Sequence, residues 1–185
     1  TLFPYTTLFR SGSTGCDAAN HLADEADLII GVGTRYSDFT TASKTQFKNP
    51  DVKFFNINVT SFDAAKQSAI MVVADAREAL TDLTALLDGY HVDAEYSERI
   101  KAEKESWSEK TRQCYHLDHG PLPAQTEVFG ALNELMGDED IVINAAGSMP
   151  GDLQALWQAK NPIQYHVEYA FSCMGYEIPA ALGVK

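Results

Sequence analysis

"ADLIIGVGTRYSDF", residues 26–39, decides the fold of this 185-residue chain. Leu28 to Val32 is a short apolar run without polar alternation, and Gly33 ends it. Such a run suits a parallel strand buried on both faces. Upstream, Ala18, Ala19, Leu22 and Ala26 recur at helical spacing. Downstream, a helical piece over roughly 40–48 leads through Asn49-Pro50 into "VKFFNINV" (52–59), a second strand. "SFDAAKQ" (61–67) reads as a short helix with Ser61 as its N-cap, and "AIMVVADA" (69–76) as a third strand. "AREALTDLTALLDG" (76–89) is an amphipathic helix closed by Gly89. Elements alternating in this way specify right-handed crossovers on a parallel sheet, so the fold class is α/β, doubly wound.

A second α/β block occupies residues 124–185. "AQTEVFGALNELMGDED" (124–140) is an amphipathic helix with Val128, Leu132, Leu135 and Met136 on one side, ended at Gly137. "IVINAAG" (141–147) is a buried strand, and "GSMPGDLQALW" (147–157) a turn and a helix. In an open α/β sheet the ligand crevice lies outside the carboxyl ends of the strands, where Gly147, Ser148 and Met149 fall. Ser148 can cap a helix beginning near Pro150, or offer its hydroxyl and backbone N–H to an anion, and both roles are compatible.

"FSCMGYEIPAALGVK" (171–185) joins a small-residue turn, the buried-looking Met174 and Gly175 to an apolar helix with Pro179 early in it. A turn like this lets a ligand approach the backbone closely, and the helix end favours an anion. His166 and Glu168 alternate with Val167 and Tyr169, so they project to one side of an extended segment. There they either exchange protons and bind substrate hydroxyls, or simply solvate a surface strand.

Between the blocks, residues 91–123 are strongly charged, with Ile100 and Trp107 seven apart. They read as one exposed helix, broken by Gly120-Pro121-Leu122-Pro123, and mark a domain boundary. His116 and His119 beside Asp118 form a linker cluster whose expected state is solvated rather than metal-bound. The net charge of −12 repels phosphate backbones and anionic membranes, so no nucleic acid or membrane partner is expected. Cys16, Cys114 and Cys173 are an odd number without CxxC spacing, which points to a reducing, cytoplasmic setting. "GVGTRYSD" is only G-x-G, and Asn56 and Asn58 stand where an acidic ribose ligand would be sought. A packed βα turn is expected there, with a nucleotide-binding module as the alternative. Residues 1–12 begin with "TLFPYTTLFRS", which looks like a translated sequencing adapter, and are set aside as a scar.

"FSCMGYEIPAALGVK" and "AAGSMPGDL" resemble two cofactor-side segments of the thiamine-diphosphate enzymes related to acetolactate synthase and pyruvate decarboxylase. Residues 13–90 resemble the C-terminal half of their central domain, and 124–185 the start of their C-terminal domain. "GTRYSDFTTAS", "INVTSFDAAK" and "YHVEYAFSCMGYEI" are most similar to the trihydroxycyclohexanedione hydrolases of myo-inositol catabolism. The resemblance implies roles residue by residue. Met174 matches the apolar residue that holds the two cofactor rings bent. Ser172 matches the position whose backbone carbonyl accepts from the pyrimidine amino group, although its side chain replaces a glycine. Gly147, Ser148 and Met149 match the diphosphate-side loop, with backbone contacts alone carried over. The expected reaction is hydrolysis of a carbon–carbon bond that opens a cyclic polyol dione to a deoxy-glucuronic acid. A 2-keto acid synthase or decarboxylase of the same superfamily is the alternative. His166 and Glu168 are the expected substrate ligands, and flavin in the central domain is an open sub-question. The activating glutamate and the Mg²⁺ ligands are expected outside these residues, so the chain reads as a fragment that alone neither binds thiamine diphosphate nor turns over. The full-length protein is expected to be at least a dimer.

Overall fold

The computed structural model describes residues 11–168, 171 and 173–185. The chain forms two compact units. One holds Ser11–Ser13 and Ala18–Glu103, the other Thr14–Asp17 and Lys104–Lys185.

In the first unit the order is α1 (Asp17–Glu25), β1 (Leu28–Val32), α2 (Asp38–Thr41), β2 (Lys53–Asn58), α3 (Ser61–Ala64), a 3₁₀ turn (Lys66–Ser68), β3 (Ile70–Val73) and α4 (Ala76–Leu86). The three strands are parallel in the order β1-β2-β3, with Ile30 opposite Phe55 and Phe55 opposite Ile70. One face carries Ile29, Gly31, Phe54 and Asn56. Tyr36 and Phe47 close it, their rings meeting Phe54 edge-on at 5.8 and 5.3 Å. The opposite face is less covered, since Leu28 and Ile30 remain 49% and 48% exposed. The expected burial on both faces therefore holds for one. An apolar run shows that a strand can be covered, not that its own unit covers it.

Asn56 and Asn58, where an acidic ribose ligand would be sought, are bonded within the unit. Asn56 is 2% exposed. Its Oδ1 accepts from Tyr36 Oη at 2.7 Å, and its Nδ2 donates to Ala64 O and Lys66 O at 3.1 and 3.0 Å. Asn58 Nδ2 donates to Thr34 O at 3.0 Å, and its Oδ1 accepts from Thr60 N–H at 3.1 Å. Both asparagines are engaged in tying strand ends to neighbouring turns, and neither is offered to a ribose. Gly31 is required beneath this network, because a Cβ there would lie 2.2 Å from Tyr36 Oη.

Three local expectations change. The helix over 40–48 shrinks to α2, after which Ala42, Ser43, Lys44 and Phe47 take positive φ. Asp24 accepts the Phe47 N–H at 3.1 Å and pairs with Lys48, folding this loop back on α1. Thr60, not Ser61, is the N-cap of α3. Helix α4 stops at its C-cap Leu87, and Gly89, at φ +76, follows two residues later.

Helix α5 (Ala94–Tyr115) crosses the boundary between the units in sequence. The second unit continues with α6 (Gln125–Leu135), β4 (Val142–Asn144), α7 (Ser148–Leu156), β5 (Tyr165–Val167) and α8 (Glu177–Val184). Its core is Phe129, Leu153, Leu156 and Trp157, packed by Trp107, Tyr115, Met136, Val142 and Tyr165. Trp107, Thr111 and Tyr115 are four apart along α5, and Thr111 is buried. This stripe is hidden in sequence because threonine and tyrosine carry polar atoms. On α6 the buried residues are Phe129 and Gly130, whereas Val128, Leu132 and Leu135 are exposed. Gly130 sets that choice: a Cβ there would lie 2.7 Å from the Cβ of Tyr115, so the two helices meet at the glycine.

Tyr115 Oη donates to Leu156 O at 2.5 Å. Burial pushes the hydroxyls of Tyr36 and Tyr115 up to about 12. In the unfolded chain each ionises near pH ~10. A raised folded value contributes stability that is complete below the unfolded value and is lost as pH rises through the folded one. Chemical-denaturation midpoints should therefore fall between about pH 10 and 12, and less steeply in Tyr36→Phe/Tyr115→Phe. An identical slope in that double variant would contradict the assignment.

Candidate functional site

The site is built on the smaller of the two sheets among the described residues. β4 and β5 run parallel, with Asn144 opposite Val167 as their last paired residues. Parallel strands end on the same side, so the loops after Asn144 and Val167 leave one common edge. Asn144 is buried and pins both loops. Its Nδ2 donates to His166 O at 3.3 Å, its Oδ1 accepts from Tyr165 Oη at 3.4 Å, and its carbonyl accepts the Glu168 N–H at 3.2 Å. Sequence reasoning missed Asn144, whose signal was a lone amide inside an apolar strand.

The first loop brings Gly147, Ser148 and Met149 to the edge, all three exposed. Gly147 is the N-cap of α7, at φ 115 and ψ −174. Residues with a Cβ essentially never adopt that combination. Ser148 is thus the first helical residue rather than the cap, and Pro150, expected at the start of the helix, is its third. No side chain caps α7, and its first turn carries no acidic residue. Ser148 and Met149 sit in that first turn, whose N–H groups have no carbonyl a turn earlier to donate to. The macrodipole adds partial positive charge at the same spot, so an anion is favoured there.

The second loop carries Met174, which is not buried but 85% exposed. Gly175 follows at φ +91, a left-handed conformation that favours glycine. Its N–H donates to Glu177 Oε2 at 3.0 Å, and the Tyr176 N–H donates to Cys173 O at 3.3 Å. Glu168 accepts the N–H groups of Phe171 and Cys173, each at 3.0 Å. The Cys173 and Phe171 N–H groups hold the Glu168 carboxyl below the usual carboxylate range. His166 Nε2 lies 2.7 Å from Tyr176 Oη, and the two rings stack with centroids 5.7 Å apart. Tyr176 and Glu177 were not singled out in sequence, since partners ten and two residues away on irregular backbone leave no periodic trace. Ser172 lies outside the described residues.

Gly147, Ser148 and Met149 thus follow β4, and His166, Glu168 and Met174 lie on or after its parallel neighbour β5. Residues 4–83 match the thiamine pyrophosphate enzyme central domain, and residues 145–185 match the thiamine pyrophosphate enzyme C-terminal TPP binding domain. The chain belongs to the thiamine pyrophosphate enzyme family. Among curated relatives it is 42% identical to a 3D-(3,5/4)-trihydroxycyclohexane-1,2-dione hydrolase of Bacillus cereus and to that of Clostridium tetani. It is 40% identical to a hydrolase of that name from Clostridium perfringens. Each alignment covers 94% of this chain, and the chain spans 31% of the length of these relatives.

The residues present fit the family's cofactor. An uncapped helix N-terminus behind a glycine whose positive φ disfavours a side chain suits a diphosphate, and an exposed apolar side chain on the neighbouring loop suits an aromatic ring. Among the described residues, no helix is long and apolar enough to cross a membrane.

Proposed function

We propose that this chain is part of a thiamine-diphosphate-dependent hydrolase that opens the ring of a trihydroxycyclohexane-1,2-dione to a deoxy-glucuronic acid. Its support is the extent of similarity to hydrolases of that name, 42% over nearly the whole chain, joined to the shared sheet edge. In this reading residues 13–90 belong to the central domain, 91–123 connect, and 124–185 begin the C-terminal domain. The full-length protein is a cytoplasmic oligomer, at least a dimer.

When bound, thiamine diphosphate supplies the carbon nucleophile and the electron sink that cleavage beside a carbonyl requires. The chain's own residues bind and orient. The Ser148 and Met149 N–H groups would hold the diphosphate, with Gly147 leaving the backbone open to it. Met174 would support the cofactor rings. Ser172, outside the described residues, would supply the carbonyl acceptor for the pyrimidine amino group. His166, exposed at the strand end, offers its ring to a substrate hydroxyl while Tyr176 orients it. Mg²⁺ accompanies the diphosphate, and none of these residues is assigned to it.

The test is to assay the full-length protein with thiamine diphosphate and Mg²⁺ against the cyclic dione and against pyruvate. Ring opening of the dione is expected, and turnover of pyruvate alone would move the reading to the 2-keto acid enzymes.

A further inference from the structure

Glu168 sits where the sheet hands over to the second loop. Its N–H donates to Asn144 O, so its backbone is still part of the strand edge. Its side chain turns forward instead of outward. Oε1 accepts the Phe171 N–H and Oε2 the Cys173 N–H, each at 3.0 Å. One carboxylate thus closes both ends of a three-residue span, with two charge-assisted bonds of the stronger kind. The low carboxyl pKa has the same origin, because these N–H groups favour the charged form.

Phe171, Cys173 and Met174 are exposed, and Gly175 is in a left-handed conformation. Polar bonds hold the described backbone of this turn, from Glu168 on the strand side and from Glu177 on the helix side. An exposed apolar side chain such as Met174 can serve a ligand only if its backbone is presented at a set height, and Glu168 sets it.

We propose that Glu168 is a positioning residue that clamps the Met174 turn to the end of β5, rather than a ligand for the substrate. The inference rests on the reading of Met174 as a support for the cofactor rings. A glutamine at this position keeps one acceptor oxygen and places an amide N–H against a backbone N–H, so one of the two bonds is lost and a repulsive contact replaces it. An aspartate keeps the charge on a shorter stem and restores part of the clamp.

The experiment uses the full-length protein and the variants Glu168→Gln and Glu168→Asp. Hydrogen exchange over residues 169–176 is read without ligands, thiamine diphosphate affinity by calorimetry, and KM for the cyclic dione by steady-state kinetics. In Glu168→Gln the segment should exchange faster, cofactor affinity and kcat should fall about tenfold or more, and the dione KM should stay within about twofold. Glu168→Asp should lie between the two. Unchanged exchange in Glu168→Gln overturns the clamp. A raised dione KM with unchanged cofactor affinity also overturns it, and returns the carboxylate to the substrate. If the wild-type protein takes up no thiamine diphosphate, the cofactor reading fails, while the exchange measurement still decides whether Glu168 clamps the turn.

Discussion

Replacing Met174 by alanine in the full-length protein should lower kcat about a hundredfold, the scale that a misplaced reacting group of about 1 Å costs. Stability should change by no more than about 0.5 kcal/mol, as for other surface positions. The split follows from exposure. A methionine that served the core would be buried, and its truncation would cost ~2–5 kcal/mol. Met174 is 85% exposed, so the fold does not depend on it. On the proposed reading, its value lies in what it meets when a ligand is present. Met174→Leu, of similar volume, should recover most of the rate. The measurement pairs steady-state kinetics with chemical denaturation. A loss of stability matching the loss of activity would return Met174 to the core.

The largest effect on stability should come from Asn56→Ala, at about 3 kcal/mol. Truncation removes the acceptor of the Tyr36 hydroxyl and a donor to the carbonyls of Ala64 and Lys66, of which the Lys66 carbonyl keeps the Ala69 N–H. Leaving a buried polar group without a partner costs ~1–3 kcal/mol, and partial relaxation of the turns recovers some of the sum. Asn56→Asp should cost at least as much, since an ionised carboxylate cannot donate to two carbonyls. Urea midpoints of the two variants decide the matter, and wild-type midpoints would refute the network.

Legibility in the sequence followed the physics of each signal. β1 is found at Leu28–Val32, as its apolar run indicates, because a short unbroken run between turn residues has few other readings. The parallel arrangement follows from the alternation of helices and strands. Periodicity identifies which side chains share a face, but it carries no information on what packs there. For that reason Leu28 and Ile30 were expected inside and are half exposed. The same blindness misplaced the buried side of α6, where a glycine rather than the leucines meets the neighbouring helix. At the site, residue types were legible and partners were not. Glycine, serine and methionine at strand ends suggested an anion seat. Nothing in "HVEYAFSCMGYE" shows that Glu168 faces the backbone N–H groups ahead of it, because side-chain bonds to irregular backbone depend on angles that composition does not encode.

The pairing of Asn144 with Val167 has a consequence for how this family can vary. The two loops of the site are measured from strand ends locked in register, and each strand residue advances ~3.3 Å. The distance between the halves is thus a property of hydrogen-bond pairing, not of how many residues lie between them. Insertions at the exposed Pro162 and Ile163, before β5, can lengthen the chain without moving either loop. A single residue gained between Val167 and Met174 would shift one half against the other. The short sheet is the ruler of the site, and the helix beside it is only its handle.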